Sequence, residues 1–272
     1  MSIKLMLVAS TPEAAIEAQD AGVDRLFFDL EYINKAERQS GRNTLILHND
    51  IEDIPAIRKA LGKTELLVRV NALHSTSRFE IDTAISYGAD LIMLPMVVDR
   101  EEVELLVKYV DGRAKVVPMI ETAAALARLD DILDVKGIDE LYIGLNDLHI
   151  SMNLNFMFEL LSGGIVEYAA SKIKKAGVKF GFGGMAKIGE GTLPAEAILA
   201  EHYRLGSSSV ILSRTFRGEV GGDGTRIDLK KEVSRIRATE AEISTWSAEK
   251  LEQNRLFVRK KVSDIVNKST SK

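Results

Sequence analysis

Eight short apolar runs rich in β-branched residues recur along this chain at a nearly even beat. They are IKLMLVA (3–9), RLFFDLE (25–31), ELLVRVN (65–71), LIMLPMV (91–97), KVVPMIE (115–121), ELYIG (140–144), VKFGFG (178–183) and SSVILSR (208–214). Their starts lie 22 to 40 residues apart. Amphipathic stretches such as PEAAIEAQDAG, EDIPAIRKALG, DREEVELLVKYV and PAEAILAEHYRLG fill the intervals. Several stop at a glycine just before the next run, as at Gly22, Gly88 and Gly177, the usual helix stop signal. Near-continuous apolar strands alternating with helices indicate a parallel sheet covered by helices. Eight such units in 272 residues predict an α/β fold closed into a TIM (β/α)8 barrel, since an open sheet usually has fewer strands.

The barrel is expected to occupy residues 1–227. The turn-rich RGEVGGDGTR follows the eighth run within it, and then come two helical stretches, roughly 228–243 and 247–267. Val233, Ile236, Ile243 and Trp246 make this tail too apolar for a linker. Residues 228–268 are therefore read as a C-terminal helical extension packing on the barrel or on a neighbouring subunit. Leu251, Leu256, Phe257 and Val262 add more apolar surface than a solitary tail needs, so a homo-oligomer is expected.

The chain has no cysteine, which excludes disulfides, Cys-ligated metals and a thiol nucleophile. Its formal net charge of −4 gives no basic surplus for nucleic acid or an anionic membrane. No run of 18 apolar residues reads as a membrane span, and the opening MSIKLMLVAS is too short for a signal h-region. A cytoplasmic location is the default expectation.

In a barrel of this kind, chemistry sits at the carboxyl ends of the strands and in the loops that follow. Polar residues at those places are Asp29 and Glu31 after the second run and Arg69 and Asn71 in the third. Glu121 ends the fifth run, Asn146, Asp147 and His149 follow the sixth, and Ser213 and Arg214 close the eighth. Glu121 and Asp147 converging on one mouth would suit a hard divalent cation, with water and substrate oxygens completing its shell. Each is also open to a plainer reading as a cap of the next helix. The glycine-rich FGFGGMAKIGEG, with Lys187 and Arg214, offers a phosphate site or simply tight turning. Its match to a dinucleotide fingerprint is discounted, because Glu201 falls in a helical pattern rather than at a strand end. Lys35, Arg38 and Arg42 either meet an anionic substrate or form a solvated helix face.

The segment VPMIETAAAL, followed 26 residues after Glu121 by Asp147 in YIGLNDLHISM, resembles the class II pyruvate aldolase and citrate lyase β-subunit family of the HpcH/HpaI type. LLVRVNAL and GADLIMLPMV resemble its third and fourth strands, and DLEYINKAER resembles a segment of its citryl-CoA and malyl-CoA lyase branch. The resemblance runs over about residues 20–216. It implies a carbon–carbon lyase or aldolase acting on a 2-oxo acid, with an aldehyde or ketone as second substrate. Glu121 and Asp147 would be the metal ligands, holding Mg2+ or else Mn2+ or Co2+. Arg69 would bind the keto oxygen of pyruvate and stabilise the enolate. Backbone N–H groups of Gly144, Leu145 and Asn146 would hold the substrate carboxylate. Assembly across subunits, as a trimer or hexamer, is implied as well.

Two departures stand out. Aldolases of this family carry a His just after the strand-2 carboxylates, where this chain has Tyr32. His149 or His48 is the substitute expected from the sequence, with Asp29 and Glu31 orienting the metal water or base. The family glycine that follows the DLxxSM segment is here Asn153, leading into LNFMFELLSGG, expected to line the mouth and set substrate choice. These departures keep open a citryl-CoA/malyl-CoA-type lyase and a catalytically silent carboxylate-binding barrel.

Overall fold

The computed structural model describes residues 2–33, 49–217 and 227–270. Lys35, Arg38, Arg42 and His48 lie outside the described residues. Eight parallel strands close into one barrel in chain order. They are β1 (Lys4–Val8), β2 (Arg25–Asp29), β3 (Glu65–Arg69), β4 (Leu91–Leu94), β5 (Lys115–Ile120), β6 (Glu140–Ile143), β7 (Lys179–Met185) and β8 (Ser209–Leu212). All eight fall within or beside the apolar runs. Most stop earlier than the runs do, because the residues beyond the last rung turn into the mouth loops.

Around the barrel lie α1 (Pro12–Asp20), α2 (Ile54–Ala60), α3 (Ser77–Ser86), α4 (Arg100–Val110), the short α5 (Ala123–Ala127) and α6 (Leu129–Leu133), α7 (Leu145–Ser151), α8 (Glu159–Ser162), α9 (Ile165–Lys175) and α10 (Ala195–Leu205). Caps fix several starts: Thr11, Asp99 and Thr122 each accept a first-turn N–H through the side chain. Two helices follow the barrel, α11 (Leu229–Ile243) and α12 (Ala248–Thr270). The first buries Leu229, Val233, Ile236 and Ile243. Arg237 on it donates to the Ile3 carbonyl at 2.8 Å and its neighbour Glu240 accepts from the Ile3 N–H, so the extension clasps the start of β1. Asn254 on α12 donates to Glu201 of α10 at 3.0 Å. No described helix is long and apolar enough to cross a membrane.

Period-2 alternation explains the barrel interior. The inward positions stack in layers. At the amino end these are Lys4, Arg25, Glu65, Lys115 and Glu140, where Arg25 is buried and holds Glu140 through two bonds of 2.9 Å each and Glu65 through a third of 2.9 Å. In the middle, Met6, Phe27, Leu67, Leu91, Met93, Val117, Met119 and Tyr142 form a separate inner core. One step further along β2, β3 and β5 the same faces carry Asp29, Arg69 and Glu121. A larger outer core of aliphatic side chains fills the space between barrel and helices. The layer below the mouth is thus apolar, and Asp29, Arg69 and Glu121 stand above it at the ends of their strands.

Candidate active site

Asp29 pairs with Arg69 across β2 and β3 in register, so both side chains emerge on the same inner face. Nε and Nη2 of Arg69 donate to the two carboxylate oxygens of Asp29, each at 2.8 Å. Nη2 also lies 3.1 Å from Glu31 Oε2. The guanidinium sits 5.2 Å from the centre of the Phe27 ring, with Nη1 3.9 Å from the Met119 sulfur. Burial works against the Arg69 charge, but Asp29, Glu31 and Glu121 outweigh it and hold the guanidinium well above the ordinary arginine range. Arg69 is therefore a permanent, oriented cation on the cavity wall.

Glu121 follows β5 directly and is buried. Its Oε1 accepts from the Met96 N–H at 2.8 Å, and Met96 takes a positive φ of 56° to present that group. Burial first, and then the charges of Asp147 and Glu31, push the Glu121 carboxyl up to about 8, against the pull of Arg69 and the Met96 amide. Asp147 is the third residue of α7, on the first turn after β6, and is also buried. Neither carboxylate is the N-cap of the next helix, because Thr122 caps α5 and Gly144 occupies the cap position of α7.

A cavity of about 510 Å³ opens at this end of the barrel, with Asp29, Arg69, Glu121 and Asp147 on its wall. Gly144, Leu145 and Asn146 line it as well. One expectation for them needs correction. The Gly144 N–H donates to the Ile120 carbonyl at 3.1 Å as a rung of the sheet, so it does not face a substrate carboxylate. The amides of Leu145 and Asn146 open a helix, where the first N–H groups have no intrahelical acceptor.

His149 is corrected too. It lies just over one turn into α7, buried, with Nδ1 3.2 Å from the carbonyl oxygen of Leu145, and it is not part of the cavity wall. Four residues separate it from Leu145, so its ring folds back on its own helix instead of pointing to the mouth. Glu31 does not reach the wall either; it pairs with Arg69, and its charge helps raise the Glu121 carboxyl. Both oxygens of Asp29 are engaged by the same arginine, so it serves as that cation's holder. Tyr32 is 57% exposed; its N–H and that of Ile33 both donate to Asn71 Oδ1 at 3.0 Å. Glu80 accepts from Asn71 Nδ2 at 2.7 Å, so Asn71 ties the strand-2 loop to α3.

Among the described residues no group of three or more His, Asp or Glu gathers to ligate a metal. The carboxylates that could hold a metal here are Glu121 and Asp147, both on the cavity wall. Two carboxylates, with water and substrate oxygens, suit a hard divalent ion. Burial, and then repulsion from Asp147 and Glu31, lifts Glu121 to about 8, and a bound cation would offset both.

A profile of the HpcH/HpaI aldolase/citrate lyase family matches residues 3–202, most of the barrel. The chain belongs to this family. Solved structures share the fold. An HpcH/HpaI aldolase/citrate lyase family protein from Burkholderia cenocepacia J2315 is 18% identical, with a TM-score of 0.62 over 90% of this chain and 95% of the other. The citrate synthase SbnG is 19% identical, with a TM-score of 0.62 over 90% and 96%. An HpcH/HpaI aldolase from Desulfitobacterium hafniense DCB-2 is 17% identical, with a TM-score of 0.57 over 78% and 86%. A curated relative, a pyruvate kinase from Methylorubrum extorquens, is 31% identical over 97 residues, which is 36% of this chain and 20% of that protein. The chain thus spans about a fifth of the length of this relative.

Asn153 stands where the resemblance leads one to expect a glycine. Asn153 has φ 55°, in the left-handed region that asparagine enters more readily than most residues. The chain turns there, and Phe156, Met157 and Phe158 come to line the cavity. Gly183, Gly184, Thr192, Ser213 and Arg214 line it as well. Lys187 does not, and pairs with Glu190 at 2.9 Å. Glu201 is buried in α10 with Arg204 and Asn254 as partners, in keeping with the discounted fingerprint. Sequence reading missed Tyr142. Its hydroxyl donates to the Gly183 carbonyl and accepts from the Ile211 N–H at 3.0 Å, on the floor of the cavity. Alternation with the inward Gly144 on the same strand was the available signal.

Proposed function

We propose that this chain is a metal-dependent carbon–carbon lyase or aldolase that acts on a 2-oxo acid through a pyruvate-type enolate. The observation that carries the proposal is the joining of Arg69, Glu121 and Asp147 on one cavity wall over an apolar barrel layer. Membership in a lyase and aldolase family agrees with it. Glu121 and Asp147 would hold the ion, with Mg2+ preferred among oxygen-seeking cations and Mn2+ or Co2+ able to replace it. When bound, a divalent ion supplies Lewis-acid polarisation of the keto group.

The chain's own residues do the rest. Arg69 presents its charge to the space where enolate charge develops, and Asp29 and Glu31 hold it there at no cost of reorganisation. The Leu145 and Asn146 amides stand where the donor carboxylate is held in this reading. The inner core excludes water from below. Neither Tyr32 nor His149 lines the cavity, so proton movement falls to water or to a group not yet identified. Assembly into a homo-oligomer is part of the same reading: Leu256 and Phe257 on α12 are 50% and 48% exposed.

The deciding experiment is proton NMR of pyruvate in D2O with the purified chain, with and without Mg2+ or Mn2+. Metal-dependent loss of the methyl signal, reduced by about two to three powers of ten in Arg69→Ala, is the expected result. Exchange of acetyl-CoA methyl protons instead would move the assignment to a thioester donor. No exchange with either donor would leave a barrel that binds carboxylates without reacting.

A further inference from the structure

The cavity wall has two characters. Asp29, Arg69, Glu121 and Asp147 carry the charged side, on β2, β3, β5 and the first turn of α7. Phe156, Met157, Phe158, Leu193, Ile198 and Ile211 carry the other, and it is apolar. One short helix joins the two: α7 begins at the charged side and leads through Asn153 into Phe156–Phe158. Two glycines of β7, Gly183 and Gly184, line the cavity as well.

The apolar side is built, not draped. Phe156 and Phe158 meet edge to face, 5.4 Å between centroids at 68°. Phe158 is buried. Glu159 Oε1 accepts from the N–H groups of Asn155 and Phe156 at 2.9 and 2.8 Å, which pins the segment from behind. A wall of this kind is preorganised for an apolar ligand.

Charge narrows the ligand further. Among the described residues, three carboxylates and two guanidinium groups, Arg69 and Arg214, line the cavity. A divalent ion and a monoanionic 2-oxo acid bring that set to neutrality. A second anion would add an uncompensated charge next to aromatic and aliphatic side chains, which is costly. Arg214 has five N–H donors, but its charge is already counted against the carboxylates.

We propose that the acceptor is an uncharged aldehyde with an apolar chain or ring, seated against Phe156, Met157 and Phe158, and that these residues set acceptor selectivity. The proposal rests on the aldolase reading above. In the step it selects for, C3 of the donor enolate forms a bond to the aldehyde carbon. The carbonyl π pair becomes an alkoxide lone pair, which takes up one proton in place of the one lost from the donor methyl. The product is a 4-hydroxy-2-oxo acid, and no oxidant or reductant is needed.

The test uses the full chain with Mn2+ and pyruvate against acetaldehyde, butanal, hexanal, benzaldehyde, glyoxylate and succinic semialdehyde. Expected is a kcat/KM that climbs by up to about fourfold per added methylene along the aliphatic series, and lies above that of both charged acceptors. Phe156→Ala should flatten the climb and Phe156→Leu should restore part of it, with circular dichroism confirming that both variants fold. A flat series in the wild type, or preference for glyoxylate or succinic semialdehyde, overturns the proposal while methyl exchange of pyruvate without acceptor still supports the donor reading. Absence of that exchange overturns both.

Discussion

Gly144 packs so closely on Glu121 that a β-carbon at position 144 would lie 2.4 Å from Oε2 of the glutamate and 2.8 Å from its Cβ. Glycine is required here for space, not for φ. The small residue lets the end of β6 pass under the carboxylate and so sets where Glu121 points.

Gly144→Ala should therefore act as a metal-site variant. The added methyl forces Glu121 away from the Met96 amide that holds it. Stability should fall by about 1–3 kcal/mol from overpacking. Mn2+ affinity and metal-dependent pyruvate exchange should each drop at least about tenfold, since loss of a well-placed supporting contact at a metal site costs that much. Mn2+ titration followed by electron paramagnetic resonance reads this directly. Unchanged affinity in a folded variant would refute the assignment of Glu121 as a ligand.

Asp29→Asn keeps shape and removes charge from the two-point pair with Arg69. If Asp29 acts by holding Arg69, kcat/KM should fall about 10- to 100-fold while the pH profile keeps both limbs. If Asp29 itself moves a proton, one limb should vanish. Arg69→Lys should fail as badly as Arg69→Ala, because an ammonium cannot bridge Asp29 and Glu31 and still present a donor edge. Steady-state kinetics between pH 5.5 and 9 separate these outcomes.

How much of this was legible beforehand follows from what each residue depends on. The eight strands were readable because a buried parallel strand must be apolar nearly throughout. Asp29, Arg69, Glu121 and Asp147 were readable because a charge at the end of such a strand has few places to go but the mouth. The fate of His149 was not readable, since facing depends on where α7 starts, and a shift of one residue rotates a helical side chain by 100°. The use of the Gly144 amide was hidden for a similar reason: only the register of β5 with β6 shows that Ile120 takes it. Met96 gave no sign at all, because what it contributes is a backbone N–H at a positive φ.

Glu121 also makes the metal-free protein pH-sensitive. Its folded carboxyl titrates near 8 against an ordinary 4.5, so between those values the folded state binds more protons than the unfolded one. Stability from this group is present at low pH and is lost as pH rises through about 8. A divalent ion competes with the proton, so Mg2+ should raise the melting temperature little near pH 5.5 and markedly at pH 8.5. Glu121→Gln should flatten the metal-free slope and abolish the Mg2+ effect. Melting curves at both pH values with and without Mg2+ provide the check, and a metal-free protein that gains stability with pH in step with Glu121 would contradict the assignment.

Tyr142 bears on the barrel itself. Pairing of β7 with β8 slips between Gly181 and Gly184, which opens a gap in the ladder. The Tyr142 hydroxyl reaches across from β6 and fills it, donating to the Gly183 carbonyl and accepting from the Ile211 N–H. Burial pushes this phenol well above its ordinary pKa, so it stays a neutral donor at any working pH. Tyr142→Phe keeps the ring and strands both backbone groups, at a cost of about 1–3 kcal/mol each if neither finds a partner. A loss of melting temperature of several degrees is expected, at about 2–4 °C per kcal/mol for a chain of this size. Because Gly183 and Ile211 both line the cavity, the relaxed bulge should also raise KM for the acceptor more than it lowers the rate of pyruvate exchange. A variant with unchanged melting temperature would mean that the bulge is held by other contacts and that the hydroxyl is incidental to it.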